Sequence, residues 1–419
     1  MTKFGSRILV ALNTLIMLFM FSTCSLSAQS IGNLAFSKDS SERMLMIIFG
    51  LAAAVEIILF ALFGKEKKFR AAQGICSLDG MTPAEAGYIH NGYCRAEDIV
   101  SLILYWADKG YLSINRITEA GTDEIVLFKL KDADSAMKPF EKLVFDKLFR
   151  GKTNVALKDL KGNLRIRMRK VNAELANIFR AQKNKLITTA SGITTVVGFL
   201  FSALSIGVMP IFTATFENAN IADGIAFYSI FNVLIALCFC IMLKFFKIMN
   251  DKRFGICLLL YIIFLMIMML ISRFTLTSII SCACAAVCGI LSVYSRKHTK
   301  RGRELLEKVL GLKEFMISAD KSSAEAILKE NPSLFYHLLP FAYALGVEDK
   351  WAVKFKNIAI AKPDWYKSNS YGIFSPIYFT NIFNEIVAKK LIATNGFAIS
   401  AFASNKGFQT SGNTPSGPR

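Results

Sequence analysis

Histidine, proline and tryptophan are scarce in this chain, and acid is outnumbered by base. There are three histidines, nine prolines and three tryptophans in 419 residues. His90, His298 and His337 are far apart, which excludes a helix-borne His-Glu-His zinc motif. A phosphate-cradling glycine loop of the Walker type is missing, and no Ser-His-Asp arrangement has a recognisable local signature. Nine cysteines make no disulfide framework, since most lie inside apolar runs and the stretch Gln29 to Arg43 has none. These absences point to a protein that is not an enzyme and carries no cofactor.

What is abundant is apolar residue, 53% of the chain, with only 19% charged. The apolar residues are gathered into blocks of about 20, the length a helix needs to cross a hydrocarbon layer. Five blocks meet that need: Met44 to Phe63, Thr189 to Phe212, Gly224 to Leu243, Phe254 to Ser272, and Phe274 to Tyr294. Ahead of them, Lys3 and Arg7, the run Ile8 to Phe21, and the small and polar stretch Ser22 to Ala28 form a signal-peptide pattern with cleavage after Ser27 or Ala28. An uncleaved first membrane helix is the alternative for residues 1–28, with 29–43 a short extracytoplasmic segment.

Basic residues set the orientation. Lys65, Lys67, Lys68 and Arg70 follow the first block, and Arg180, Lys183 and Lys185 precede the second. Lys244, Lys247, Lys252 and Arg253 lie between the third and fourth, and Arg296, Lys297, Lys300, Arg301 and Arg303 follow the fifth. If every block spans, all of these fall on one side. The opposite loop, Thr213 to Asp223, has two acids and no base. The expected organisation is a cytoplasmic domain over 64–188, four membrane helices over 189–294, a cytoplasmic helical domain over 295–404 and a disordered tail over 405–419.

Within 64–188, Thr82-Pro83-Ala84-Glu85 predicts a capped helix start, with Glu85 reaching back to the cap. Ile99, Leu102, Ile103 and Trp106 give a second helix, Ala96 to Lys109, an apolar face, and Gly110 ends it. Tyr111 to Arg116 and Glu124 to Leu130 predict two strands about a turn. Helices followed by a hairpin suggest a winged-helix-like α+β module. The fold class is therefore a mainly α, polytopic membrane protein with this module and a helical cytoplasmic tail. From Asp79 to Lys131 there are five basic against eight acidic residues, which argues against nucleic acid as a partner.

The surplus that makes the chain +19 is concentrated from Lys138 to Lys185, with fourteen basic and four acidic residues. There, Leu164, Met168, Val171, Leu175 and Ile178 form one helical face decorated by Arg165, Arg167, Arg169 and Lys170. Lying just before a membrane block, these four are candidate contacts for anionic lipid head groups. A domain helix with a solvated basic face fits the same pattern.

Four motifs carry a resemblance. Thr82-Pro83-Ala84-Glu85-Ala86-Gly87-Tyr88, Ala107-Asp108-Lys109-Gly110-Tyr111-Leu112, Leu339-Pro340-Phe341-Ala342-Tyr343-Ala344-Leu345-Gly346-Val347 followed by Trp351, and Pro363-Asp364-Trp365-Tyr366 occur in that order. Over residues 40 to 367 the chain resembles bacterial predicted membrane proteins of domain of unknown function 2207 (DUF2207). The resemblance implies a multi-pass protein of the bacterial cytoplasmic membrane. It also implies an extracytoplasmic β-rich domain, in whose place this chain has only Gln29 to Arg43. It supplies no activity and no catalytic residue.

Inside the blocks one acid stands out. Glu56 is the sole acidic residue well within an apolar block, and an ionisable group there is a functional candidate by default. The plain alternative is a structural hydrogen bond, for example to Asn232. Cys282, Cys284 and Cys288 read as small residues for close helix packing, with Cys282 and Cys284 on different faces. The leading functional expectation is a membrane scaffold or signalling protein whose cytoplasmic part binds a protein partner. A small transporter or channel using Glu56 and Asn232 is the alternative, and a membrane-tethered nucleic-acid binder the third.

Overall fold

The computed structural model describes residues 38–66, 69, 78, 80–119, 122–157, 164–181, 184–216, 222–248, 253–272, 274–318, 331, 333–356, 358, 360–368 and 375–387. The expected leader (1–28), most of segment 29–43 and the tail (405–419) lie outside these residues. The helices are α1 (Lys38–Leu59, continued by a π-turn at Phe60–Gly64), α2 (Pro83–Asn91), α3 (Ala96–Asp108), α4 (Pro139–Phe149), α5 (Leu164–Arg180), α6 (Thr189–Phe216), α7 (Ala222–Ile248), α8 (Arg253–Ile271), α9 (Leu276–Tyr294), α10 (Lys300–Ser318), α11 (Leu334–Leu345), α12 (Glu348–Lys354) and α13 (Pro376–Val387). The strands are β1 (Leu112–Glu119), β2 (Thr122–Lys129), β3 (Asn154–Ala156) and β4 (Tyr366–Ser368). The chain divides into two compact units, residues 1–68 with 187–299 and residues 69–186 with 300–419.

In the first unit, α1, α6, α7, α8 and α9 are long and apolar enough to cross a membrane. Their outer faces suit hydrocarbon: Leu259, Ile263, Met266 and Leu270 of α8 are all exposed. The inner faces are small and polar. Ser202 of α6 meets the Tyr261 hydroxyl of α8 at 2.8 Å, and that hydroxyl donates to the Ala285 carbonyl of α9 at 3.1 Å. Such bonds hold helices together where water cannot compete and apolar burial gives no drive. At one end the C-terminus of α1, the N-terminus of α6 and the C-terminus of α9 are stitched by main chain. Arg296 N donates to Gly64 O at 3.1 Å, and Thr188 N to Lys297 O at 2.9 Å. Lys247 of α7 lies 4.4 Å from the Tyr294 ring and 5.3 Å from the Phe254 ring of α8, so the basic flanks gather at this same end.

The second unit joins what the sequence presents as two regions. A single core contains Trp106, Phe140, Phe145 and Phe149 from the earlier segment and Phe335, Leu339, Trp351 and Phe355 from the later one. The sheet order is β3-β2-β1-β4, with β1 and β2 antiparallel and β4, from the later segment, parallel to β1 at Ile114↔Tyr366. The hairpin strands run to Glu119 and from Thr122, longer than sequence suggests, because the antiparallel β1–β2 register continues unbroken from Leu112↔Lys129 to Glu119↔Thr122 at the turn. Arg95 Nη2 donates to Ala344 O at 2.6 Å, and Asp108 Oδ2 lies 2.7 Å from His337 Nδ1. A domain closed this way requires both segments on one side of the membrane. Four helices long and apolar enough to cross lie between the two segments, an even number.

Two titratable groups in this domain are displaced in opposite senses. Burial pushes the Asp98 carboxyl up to about 7, against the pull of the Arg95 guanidinium. Burial, with Lys313 and Arg95 nearby, holds the His90 imidazole down at about 4. The neutral ring accepts from Lys313 Nζ at 2.8 Å, since an ammonium can only donate. An acid raised on folding loses stability as pH climbs from about 4 to 7, because the unfolded chain has shed the proton and the folded chain has not. A base lowered on folding loses stability as pH falls from about 6.5 to 4. Between about pH 4 and 6.5 the two slopes oppose, each on the order of 1 kcal/mol per pH unit. H90Q is therefore expected to leave stability falling with rising pH, and D98N to leave it rising. All three tryptophans lie in this domain, so their fluorescence during denaturant unfolding of the full chain reads it selectively. Identical flat profiles in both variants would refute the assignment.

Candidate intramembrane site

Glu56 lies on α1, about two turns before the π-turn ends, and is 0% exposed. It faces α9 and α6 because Gly198 of α6 leaves the room: a Cβ there would collide with both Ser292 Oγ and Glu56 Oε1. Ser292 Oγ of α9 lies 3.2 Å from Glu56 Oε1 and 2.7 Å from the Cys288 carbonyl oxygen one turn back. Glu56 Oε2 has no hydrogen-bond partner among the described residues. From α7, Lys244 Nζ reaches the carbonyls of Ser292, Val293 and Ser295 at 3.0, 3.1 and 2.7 Å, closing the C-terminal end of α9. An ammonium has three protons, and these three carbonyls match them. Thr195 Oγ1 lies a further 3.4 Å from the same nitrogen.

The bond to Asn232 suggested by sequence does not form. Asn232 is buried on α7, but its Nδ2 and Glu56 Oε2 both lack a partner. Ser292 occupies that role instead, because the notch at Gly198 opens toward α9. The sequence reading missed Ser292, Gly198 and Lys244. A signal existed: Ser281, Cys284, Cys288, Ser292 and Ser295 recur at spacings of three and four, one face of a helix. Cys284 and Cys288 lie on that face, their sulfurs 3.8 Å apart, while Cys282 turns toward the Leu265 carbonyl of α8. Among the described residues no group of three or more His, Cys, Asp or Glu could hold a metal ion.

The basic helix α5 is present, and its apolar side is already occupied. Val171, Leu175 and Phe179 are buried in the core of the second unit. The side chains of Arg165, Arg167, Arg169 and Lys170 lie outside the described ones.

The four sequence motifs turn out to build the fold. Thr82 and Glu85 form the reciprocal capping box, with Glu85 N to Thr82 Oγ1 at 3.3 Å and Thr82 N to Glu85 Oε2 at 2.8 Å. Gly87 leaves space for the Asp98 carboxylate, whose Oδ2 accepts from Arg95 N at 2.6 Å to start α3. Gly110 (φ +74) and Gly346 (φ +67) take left-handed conformations just past α3 and at the end of α11. Trp351 donates its Nε1–H to Phe335 O at 3.3 Å, and the Trp365 carbonyl accepts from Ile114 N at 2.7 Å, starting the β1–β4 pairing. Compared with protein families, residues 78–355 match the C-terminal domain described as "Predicted membrane protein (DUF2207)". The chain belongs to the DUF2207 family. The DUF2207 match takes in α6 to α9 and three of the four motifs, and leaves the region before residue 78 uncovered. No curated protein and no solved structure matches the chain. With its five long apolar helices, this DUF2207 chain is a polytopic membrane protein.

Proposed function

We propose that this DUF2207 protein is a scaffold or signalling component of the bacterial cytoplasmic membrane, whose cytoplasmic domain binds a protein partner. One observation carries the reading: the domain closes only by joining segments from both sides of a four-helix block. A shift among the membrane helices is thereby passed into both halves of the domain at once. The gathered basic flanks support a cytoplasmic domain and a cytoplasmic C-terminus. The order helix, helix, hairpin in α2, α3, β1 and β2 supports a winged-helix-like module. Its acidic balance still speaks for a docking surface and against nucleic acid. With Val171, Leu175 and Phe179 in the core, Arg165, Arg167, Arg169 and Lys170 would contact anionic head groups by charge alone. That attraction is about 1 kcal/mol per residue at the surface and weakens with salt.

The test perturbs one unit and reads the other. In full-length protein in lipid nanodiscs, G198A should displace Glu56 and Ser292. Hydrogen exchange at the Ile114 amide, in the β1–β4 pairing, should then quicken severalfold. An unchanged rate, with the membrane helices still formed, would reduce the membrane block to a tether. In the same programme, a phosphatase fused after Ser404 should be inactive, and an active one would reverse the orientation.

A further inference from the structure

We propose that Glu56 is a proton-binding site inside the membrane block, its carboxyl donating to Ser292 Oγ when the proton is bound. The argument is one of counting protons. A serine hydroxyl carries one hydrogen. Ser292 Oγ has two oxygens within reach, the Cys288 carbonyl at 2.7 Å and Glu56 Oε1 at 3.2 Å. The nearer is a main-chain carbonyl in the helical i−4 position, the usual sink for a serine proton in a helix. With that proton committed, Ser292 Oγ can only accept from Glu56, and the donor must be a protonated Oε1.

The alternative, a carboxylate, leaves the site without compensation. One oxygen would compete with Cys288 for a single hydroxyl, and the other, fully buried, would have nothing. Such an unpartnered charge in hydrocarbon is costly. Among the described residues no cation faces Glu56 to offset it. Lys244, from α7, is saturated by the three carbonyls at the end of α9. Gly198, the α6 residue against it, has no side chain, and α9 contributes Ser292 and the thiol of Cys288. The site nevertheless lies next to a polar end. Thr195 Oγ1 lies within 3.4 Å of the Ser292 and Ser295 carbonyls, and Ser191 Oγ within 3.4 Å of Ser295 Oγ. Polar groups thus lie between Glu56 and the end where the basic flanks gather, and we assign that end as the side from which water reaches the proton. The transfer is a plain acid–base exchange: the Oε1–H bond breaks, a water entering from that end takes the proton, and the carboxylate then requires the helices to move or admit water. Ligand and role are both new relative to the scaffold reading, which stands whether or not Glu56 titrates.

Infrared difference spectroscopy on the full chain in lipid nanodiscs tests this directly. The protonated acid should give a carboxylic C=O stretching band that bleaches as pH is raised and returns as it is lowered. E56Q should remove the component of the band that D98N leaves in place, while keeping the protein in the membrane. S292A should keep the band but shift it, because the acceptor of the carboxyl proton is gone. A band with no component beyond the one that D98N removes, or a remaining component that survives E56Q, overturns the site. A Glu56 band that never bleaches across the range in which the protein remains folded also overturns it, because a permanently neutral acid binds no exchanging proton. Should E56Q fail to accumulate, the S292A shift and the wild-type pH response decide the matter.

Discussion

A chain that begins at Phe69, and so lacks α1, and in which residues 187–299 are replaced by a short Gly-Ser linker is expected to be a soluble protein that unfolds in one cooperative transition. The linker can be short because Leu186 and Gly302 touch: an added Cβ on Gly302 would collide with the Leu186 main chain. The two halves share one core, so residues 69–186 alone are expected to fail. Without the later segment the core lacks Phe335, Leu339, Trp351 and Phe355, each 1% exposed or less in the whole domain. At about 1.5–3 kcal/mol for each buried side chain, that loss is on the order of 10 kcal/mol. It is comparable with the whole stability of a typical domain. Size-exclusion chromatography and tryptophan-monitored denaturation distinguish the outcomes. Aggregation of the linked chain, with a folded 69–186 fragment, would disprove the single-core description.

Gly302→Ala should be strongly destabilising, although helix propensity argues the reverse. Gly302 lies in α10, and alanine in a helix interior is ordinarily favoured over glycine by about 1 kcal/mol. Here the new methyl would meet Leu186 main-chain atoms, with its Cα 2.8 Å and carbonyl carbon 2.9 Å away. Main chain cannot rotate aside as a side chain can, and the segment just after it is held by the Thr188–Lys297 bond. We expect a loss of about 1–3 kcal/mol, the range for overpacking. The measurement is the tryptophan unfolding midpoint of the full chain, since all three tryptophans lie in the same unit as Gly302. A G302A midpoint equal to or above wild type would refute the close contact.

Much of this was legible without coordinates, and the reasons are local. A helix that crosses hydrocarbon must satisfy its own backbone and hide almost no charge, so five apolar runs declared themselves. The capping box at Thr82 and Glu85 needs only residues three apart. The helix end near Gly110 needs one glycine that can turn left-handed. Glu56 was conspicuous because an acid among apolar residues is rare at any tertiary arrangement. Its partner was not. Ser292 is 236 positions away, and nothing local distinguishes it from Asn232 as a bond for the same carboxyl.

The basic helix shows the limit in another form. Its 3.6-residue periodicity established an apolar face, and lipid and protein core are equally apolar solvents for such a face. Only the packing of Val171, Leu175 and Phe179 into the second unit decided between them. The same holds for the domain count. Sequence order separates residues 64–188 from 295–404 by four long apolar helices, and each looks like a region of its own. What joins them is the parallel pairing of Ile114 with Tyr366 and a core to which both contribute. Apolar run and cap follow from the sequence alone because they depend on neighbours within about one helical turn or on the solvent itself. Partner strand, shared core and the notch that receives Glu56 depend on residues hundreds of positions apart, whose meeting is determined by packing.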